Sequence, residues 1–255
     1  MLWYKSWLET RWRFLIGLGL LMILSAGIVV NYPMVQQLMP MADGIDAKGP
    51  LGRLILDAIE MQKDFRGFVW YQWVRQNLAQ TWTLFAVLLG SGGLLARASG
   101  GAPLFTLTLP VSRNRVLWVR AATGLAELLV LAIIPFLLIP LLSPAIGQRY
   151  SIGDAVVHGV CLFVAGTVFF SLALFLSTLF ADVWRPMLIA CGIAMVLAVA
   201  EALPGGLASY GLFRVMSAET YFRAGEVPWA GLLASVTVSS AILYGASTSF
   251  ARQDF

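Results

Sequence analysis

The chain has 255 residues, of which 59% are hydrophobic and only 12% charged, and its mean hydropathy is +0.82. A soluble domain carries about 25% charged residues, because its surface must be covered with polar groups. A free-standing soluble enzyme and a disordered chain are therefore excluded. The net charge of +4 belongs in a membrane protein to arginines on the cytoplasmic side, not to a nucleic-acid partner.

The gaps between charged residues locate the elements. A helix needs about 20 apolar residues to cross ~30 Å of hydrocarbon. In that solvent an unpaired backbone amide finds no partner, so the spanning segments must be helices, and the runs are too uniformly apolar for barrel strands. Residues 1–13 read as an amphipathic surface helix, with Trp3, Trp7 and Leu8 on one face and Lys5, Glu9 and Arg13 towards water or head groups. The plainer alternative is the charged start of the first span. That span is expected over 14–32, and its apolar stretch is too long for a cleaved signal core.

An outer loop follows over 33–75. Pro40, Gly44 and Gly49-Pro50 break the chain. Leu51, Leu54, Ile55, Ala58, Ile59 and Gln62 then recur at helical spacing, which predicts a short amphipathic helix. The aromatic group Phe65, Phe68, Trp70, Tyr71 and Trp73 is expected to form an interfacial belt. The sharper reading makes Phe68, Trp70, Tyr71 and Trp73 a gate or a contact for an apolar substrate. Further spans are expected over 76–97, 117–142, 155–181, 186–204 and 228–250, six in all. A short interfacial helix fits between Leu207 and Tyr221. The fold class is thus an all-α integral membrane protein of one domain, with six transmembrane helices and an N-terminal surface helix. Arg97, Arg113, Arg115 and Arg120 have no acidic residue among them, whereas the charges of 43–75 balance. Basic density in short loops puts 97–120 and both termini in the cytoplasm.

Several chemistries are absent. The two cysteines, Cys161 and Cys191, lie in apolar runs and read as packing residues rather than a disulfide or a metal pair, and the single His158 excludes a zinc site of the HExxH kind. Of three lysines only Lys5 precedes Ser or Thr, and Tyr4 precedes it, so there is no P-loop and no bound ATP. Gly90-Ser91-Gly92-Gly93 lacks the first glycine of a rhomboid-like Gly-x-Ser-Gly and suits close helix packing instead. The chain is not expected to be an enzyme. Glu127, Glu201 and His158 are the ionisable residues at or near spans. Such groups face protein or water, since a charge at mid-bilayer costs about 3 kcal/mol. Glu201 reads as snorkelling to head groups and His158 as a hydrogen-bonded helix-end residue. Glu127 reads equally as a structural pair or as part of a translocation path, the latter suiting an ion-coupled secondary transporter or channel.

Residues 98–116 connect the second and third expected spans. Gly100-Gly101 and Pro103 end one helix, and Ser112 is placed to cap the next. Between them lies an apolar patch, Leu104, Phe105, Leu107 and Leu109, with a basic rim that includes Arg113 and Arg115. The sequence Leu109-Pro110-Val111-Ser112-Arg113 resembles the cytoplasmic coupling segment of ABC-2-type transporter permeases. The N-terminal surface helix, the six-span plan and the ending Arg252-Gln253-Asp254-Phe255 are similar to that family as well. Many relatives carry acidic residues before the coupling motif; here none lies between Arg97 and Arg120. The resemblance implies an exporter permease in a bacterial cytoplasmic (inner) membrane, in a dimer with a second permease chain. Two copies of a separate ATP-binding subunit would hold ATP and Mg. Leu104, Phe105, Leu109, Pro110, Ser112, Arg113 and Arg115 would then dock that subunit. The scarcity of charge in the spans favours an apolar or amphipathic cargo.

Overall fold

The computed structural model describes residues 2–42, 59–92, 112–180, 182–202 and 211–252, with the backbone alone for 39–42 and 113. Among these residues the protein is all-α, without strands. The long helices are α1 (Leu2–Ala42), α4 (Arg113–Leu142), α5 (Ile152–Leu179), α6 (Trp184–Ala202) and α9 (Trp229–Ala251). Each of these five holds a segment long and apolar enough to cross a membrane, which makes the chain a multi-pass membrane protein. The remaining elements are α2 (Phe65–Phe68), a π-helical stretch (Val69–Leu78), α3 (Ala79–Gly90), a 3₁₀ turn (Ser143–Ile146), α7 (Leu212–Met216) and α8 (Glu219–Ala224).

Two expectations change. Residues 1–13 are not a separate surface helix, because α1 runs from Leu2 to Ala42 without a break. The reason is one buried stripe, Ser6, Thr10, Phe14, Leu21, Ser25, Val29 and Tyr32, recurring at helical spacing along its length. Trp3 and Trp12 instead lie on its exposed side. The same continuity shortens the outer loop of 33–75, since its first ten residues prolong α1. The second helical run also differs from 76–97. It begins at Phe65, and α2, the π-helical stretch and α3 follow one another through right-handed helical joints to Gly90. No uninterrupted α-helix of spanning length forms there, because ten residues of π-helix lie within the run.

The contacts fix how the helices alternate. At one end Arg13 of α1 meets the Leu88 carbonyl of α3, and Glu9 meets Arg120 of α4. Leu117, Ala246 and Phe250 cluster there with Phe175. At the other end Tyr32 packs on Phe65 and Phe68, and Phe65 on Tyr150. The beginning of α1 and the end of α9 thus share one end of the bundle, here the terminal end; the opposite one is the far end.

Helix α5 is central and packs on α3, α4, α6, α7 and α9. Ser151 caps it by accepting from the Asp154 amide at 3.4 Å, and Asp154 lies in its positive first turn. Close approach explains one of its glycines: a Cβ on Gly166 would overlap the buried Trp82 ring. The turn before it reverses at Gly147, whose φ of 72° is the left-handed region that glycine enters without penalty. Helix α6 is peripheral. Only Pro186, Ala190 and Ala194 are buried, while Leu188, Met195 and Val196 face outward as lipid-facing side chains do.

Candidate functional site

Chemistry-bearing side chains gather at the two ends of the bundle. At the terminal end Arg120 stands just inside α4 and lies 3.4 Å from Glu9 of α1; its side chain is only 8% exposed. About two turns deeper on α4, buried Glu127 accepts through Oε1 from Thr10 of α1. Thr10 in turn reaches back to the Ser6 carbonyl at 3.2 Å. The second Glu127 oxygen, Oε2, is buried without a hydrogen-bond partner among the described residues. Arg13 donates to the Leu88 carbonyl at 2.8 Å, where α3 ends. The first turns of α1 therefore bind both helices that flank the 98–116 connection. A carboxylate and a guanidinium are tolerated at this depth because each meets an opposite charge or a hydrogen-bond donor inside the protein.

Of the expected coupling residues, Leu104, Phe105, Leu109 and Pro110 lie outside the described residues. Helix α4 starts at Arg113, and Ser112 holds its N-cap position with extended backbone. Its hydroxyl makes no capping bond there, which differs from the expected cap; only its carbonyl is used, by the Arg115 and Val116 amides. Arg115 is exposed, and of Arg113 only the backbone is described.

At the far end the aromatic group is not an interfacial belt. Phe68, Trp70 and Trp73 are buried in the protein core, and only Tyr71 is partly exposed. The π-helical stretch carries Trp70 towards α7 and α8, where its indole N–H donates to the Ser217 carbonyl at 2.9 Å. Its ring stacks on Phe222 at 4.3 Å, nearly parallel. Arg75 lies over both Trp70 and Tyr71, 5.8 Å from each ring. The Trp73 indole N–H is buried without a partner among the described residues. Long π-helical segments are rare and recur at functional sites, and this one sets three bulky rings against the core.

Comparison with known proteins returns no matching family model, no matching characterised protein and no matching solved structure. Function therefore rests on the residues themselves.

A polar network ties the far end together. Asp154 accepts from the Tyr221 hydroxyl at 2.9 Å and pairs with Arg66 at 2.9 Å. Both Tyr150 and Tyr221 are held above the ordinary phenol range, Tyr150 chiefly by burial and Tyr221 chiefly by donating to Asp154. His158 donates from Nδ1 to the Asp154 carbonyl at 2.7 Å and packs edge-on to Tyr221. Glu201 does not snorkel to head groups. Its carboxylate accepts from the Phe213 amide at 3.0 and 3.1 Å and from Arg214 at 3.3 Å, closing the N-terminus of α7. A Cβ on Gly211 would collide with it, so glycine makes room for the carboxylate. No sequence rule pairs a carboxylate at the end of one helix with amides twelve residues on. Among the described residues no three His, Cys, Asp or Glu side chains are grouped to hold a metal.

Proposed function

We propose that the chain is the permease subunit of an ABC-2-type exporter for an apolar or amphipathic substrate. It works with a second permease chain and two copies of a separate ATP-binding subunit, which carries ATP and Mg. In this reading residues 65–90 form the sixth crossing, and the terminal end faces the cytoplasm of a bacterial inner membrane. The observation that supports it most is local. The motif Leu109-Pro110-Val111-Ser112-Arg113 leads directly into α4 at the end of the bundle where α1 begins and α9 ends. An ATPase docked on that segment pushes on the start of α4. The Glu9–Arg120 pair and the Thr10–Glu127 hydrogen bond pass the push to α1. Such coupling requires that the ATPase bind the two permease states with different affinity.

Purification from detergent tests it directly: the chain brings down a separate ATPase, and reconstituted vesicles hydrolyse ATP faster with a transported substrate. Arg113→Glu is expected to lower that stimulation several-fold, while Lys63→Glu, at the far end, leaves it unchanged. Equal activity in the two variants removes the docking assignment, and sustained transport without any ATPase removes the family reading. One observation favours a second reading, an ion-coupled transporter or channel: Oε2 of buried Glu127 has no hydrogen-bond partner among the described residues. Transport driven by a proton gradient alone, and lost in Glu127→Gln, would select it.

A further inference from the structure

The segment between α6 and α9 holds a cavity of about 570 Å³. Its floor is a small ionic assembly. Glu219, largely buried, accepts Arg223 Nε at 2.8 Å through one oxygen and faces Arg214 Nε at 3.4 Å through the other. Each guanidinium meets the carboxylate by the edge nearest its own chain, and the two arginine side chains are nearly half exposed, at 45% and 49%. Two positive charges against one carboxylate leave the cavity with a net positive charge. Glu226, the other carboxylate of the segment, does not line it.

The assembly is built. Ala218, between α7 and α8, has a φ of 50°, a left-handed conformation that a non-glycine residue adopts only where its surroundings enforce it. Here they do: Trp70 bonds the Ser217 carbonyl and stacks on Phe222, gripping both sides of that turn. The turn folds Arg214 of α7 back towards Arg223 of α8, around Glu219.

Apart from Thr220, the rest of the wall is apolar, with Val227, Pro228 and Trp229 along it. Trp229 is 68% exposed and is the first residue of α9, so it stands where that apolar helix enters the hydrocarbon. An exposed tryptophan there marks head-group level. A ligand in this cavity meets guanidinium groups on one side and hydrocarbon on the other. Guanidinium groups pair with phosphate oxygens through parallel N–H donors.

We propose that this cavity binds the phosphate group of an anionic amphiphile, held by Arg214 and Arg223, with the acyl portion lying along Val227 to Trp229. The site is independent of the ATP-driven reading, and its test needs no ATPase. The full chain, in neutral detergent, is titrated with short-chain phosphatidic acid, with the matching uncharged diacylglycerol and with inorganic phosphate. Saturable binding of phosphatidic acid, at least tenfold tighter than of diacylglycerol, is expected. Arg214→Gln/Arg223→Gln should weaken it at least tenfold. Ala224→Trp keeps both arginines and the Glu219 pairs but fills the cavity from its rim, and should abolish binding in a chain whose thermal unfolding is unchanged. Inorganic phosphate binding as tightly as phosphatidic acid would support the phosphate site and make free phosphate its source. Equal binding of diacylglycerol, or phosphatidic acid binding that survives both variants, overturns the proposal.

Discussion

The two ends of the bundle solve the problem of polar groups near a membrane in different ways. At the terminal end one ion pair lies inside the protein, between long helices: the Arg120 side chain is 8% exposed and Glu9 19%. At the far end ion pairs lie between short segments and helix ends, and the Arg66 side chain is 42% exposed. A pair shielded from water is strongly destabilised when one partner is lost, because the other charge is left buried. An exposed pair competes with water and loses little. The terminal end is therefore held by shielded contacts that tie α1 to α3 and α4. The far end is held by aromatic stacking and backbone capping, with its arginine side chains about half exposed.

The sharpest way to break this contrast is Arg120→Ala. It removes the buried guanidinium that faces Glu9 and withdraws a positive charge from Glu127, and about 3 kcal/mol of stability should be lost. Thermal unfolding in detergent measures it. The double variant Glu9→Gln/Arg120→Gln should be milder than Arg120→Ala, since both charges of that pair are then removed together. A loss below about 1 kcal/mol in Arg120→Ala would show that water reaches this end as freely as the other.

The sequence reveals the long helices because hydrocarbon dictates them: a run without charge between Asp154 and Asp182, or between Glu226 and Arg252, has one outcome. What it conceals are contacts within the protein. The buried stripe of α1 passes through Ser6, Thr10 and Ser25, residues that a hydropathy rule sends to the surface. A small-residue rule, looking for Ser, Thr and Gly at helical spacing, would have found that face. Depth alone points the tryptophans of the π-helical stretch to an interface, yet depth does not distinguish lipid from core. Glu127 and its Thr10 partner lie among the described residues, whereas the apolar patch of the coupling motif lies outside them.

A smaller effect is expected at Glu201, where the far end is closed by a carboxylate on backbone amides rather than by an ion pair. Glu201→Gln keeps an acceptor but removes the charge at the start of α7, so about 1 kcal/mol should be lost locally. Hydrogen exchange at the Phe213 and Arg214 amides is the readout. Faster exchange there, with α4 and α5 unchanged, fits a local cap; acceleration throughout α5 would mean that α7 clamps the whole bundle.

The smallest effect at neutral pH belongs to the Arg66–Asp154–Tyr221 network. Arg66→Gln should cost under about 1 kcal/mol, because the Arg66 side chain is partly exposed and Asp154 keeps Tyr221. Its neighbour Tyr150 shows itself only in alkali. Burial, reinforced by the negative charge of Asp154, raises the Tyr150 phenol above its unfolded value of about 10. A neutral group with a raised folded pKa contributes stability that is complete below the unfolded value and is lost as the pH climbs through the folded one. The folded protein should therefore lose stability above about pH 10, with Tyr150 late to develop its phenolate absorbance. Asp154→Asn removes the largest cause after burial and should bring that absorbance to lower pH, while Tyr150→Phe should remove this contribution to the alkaline loss. If Asp154→Asn leaves the titration where it was, the far-end network is a set of separate contacts, and burial alone governs Tyr150.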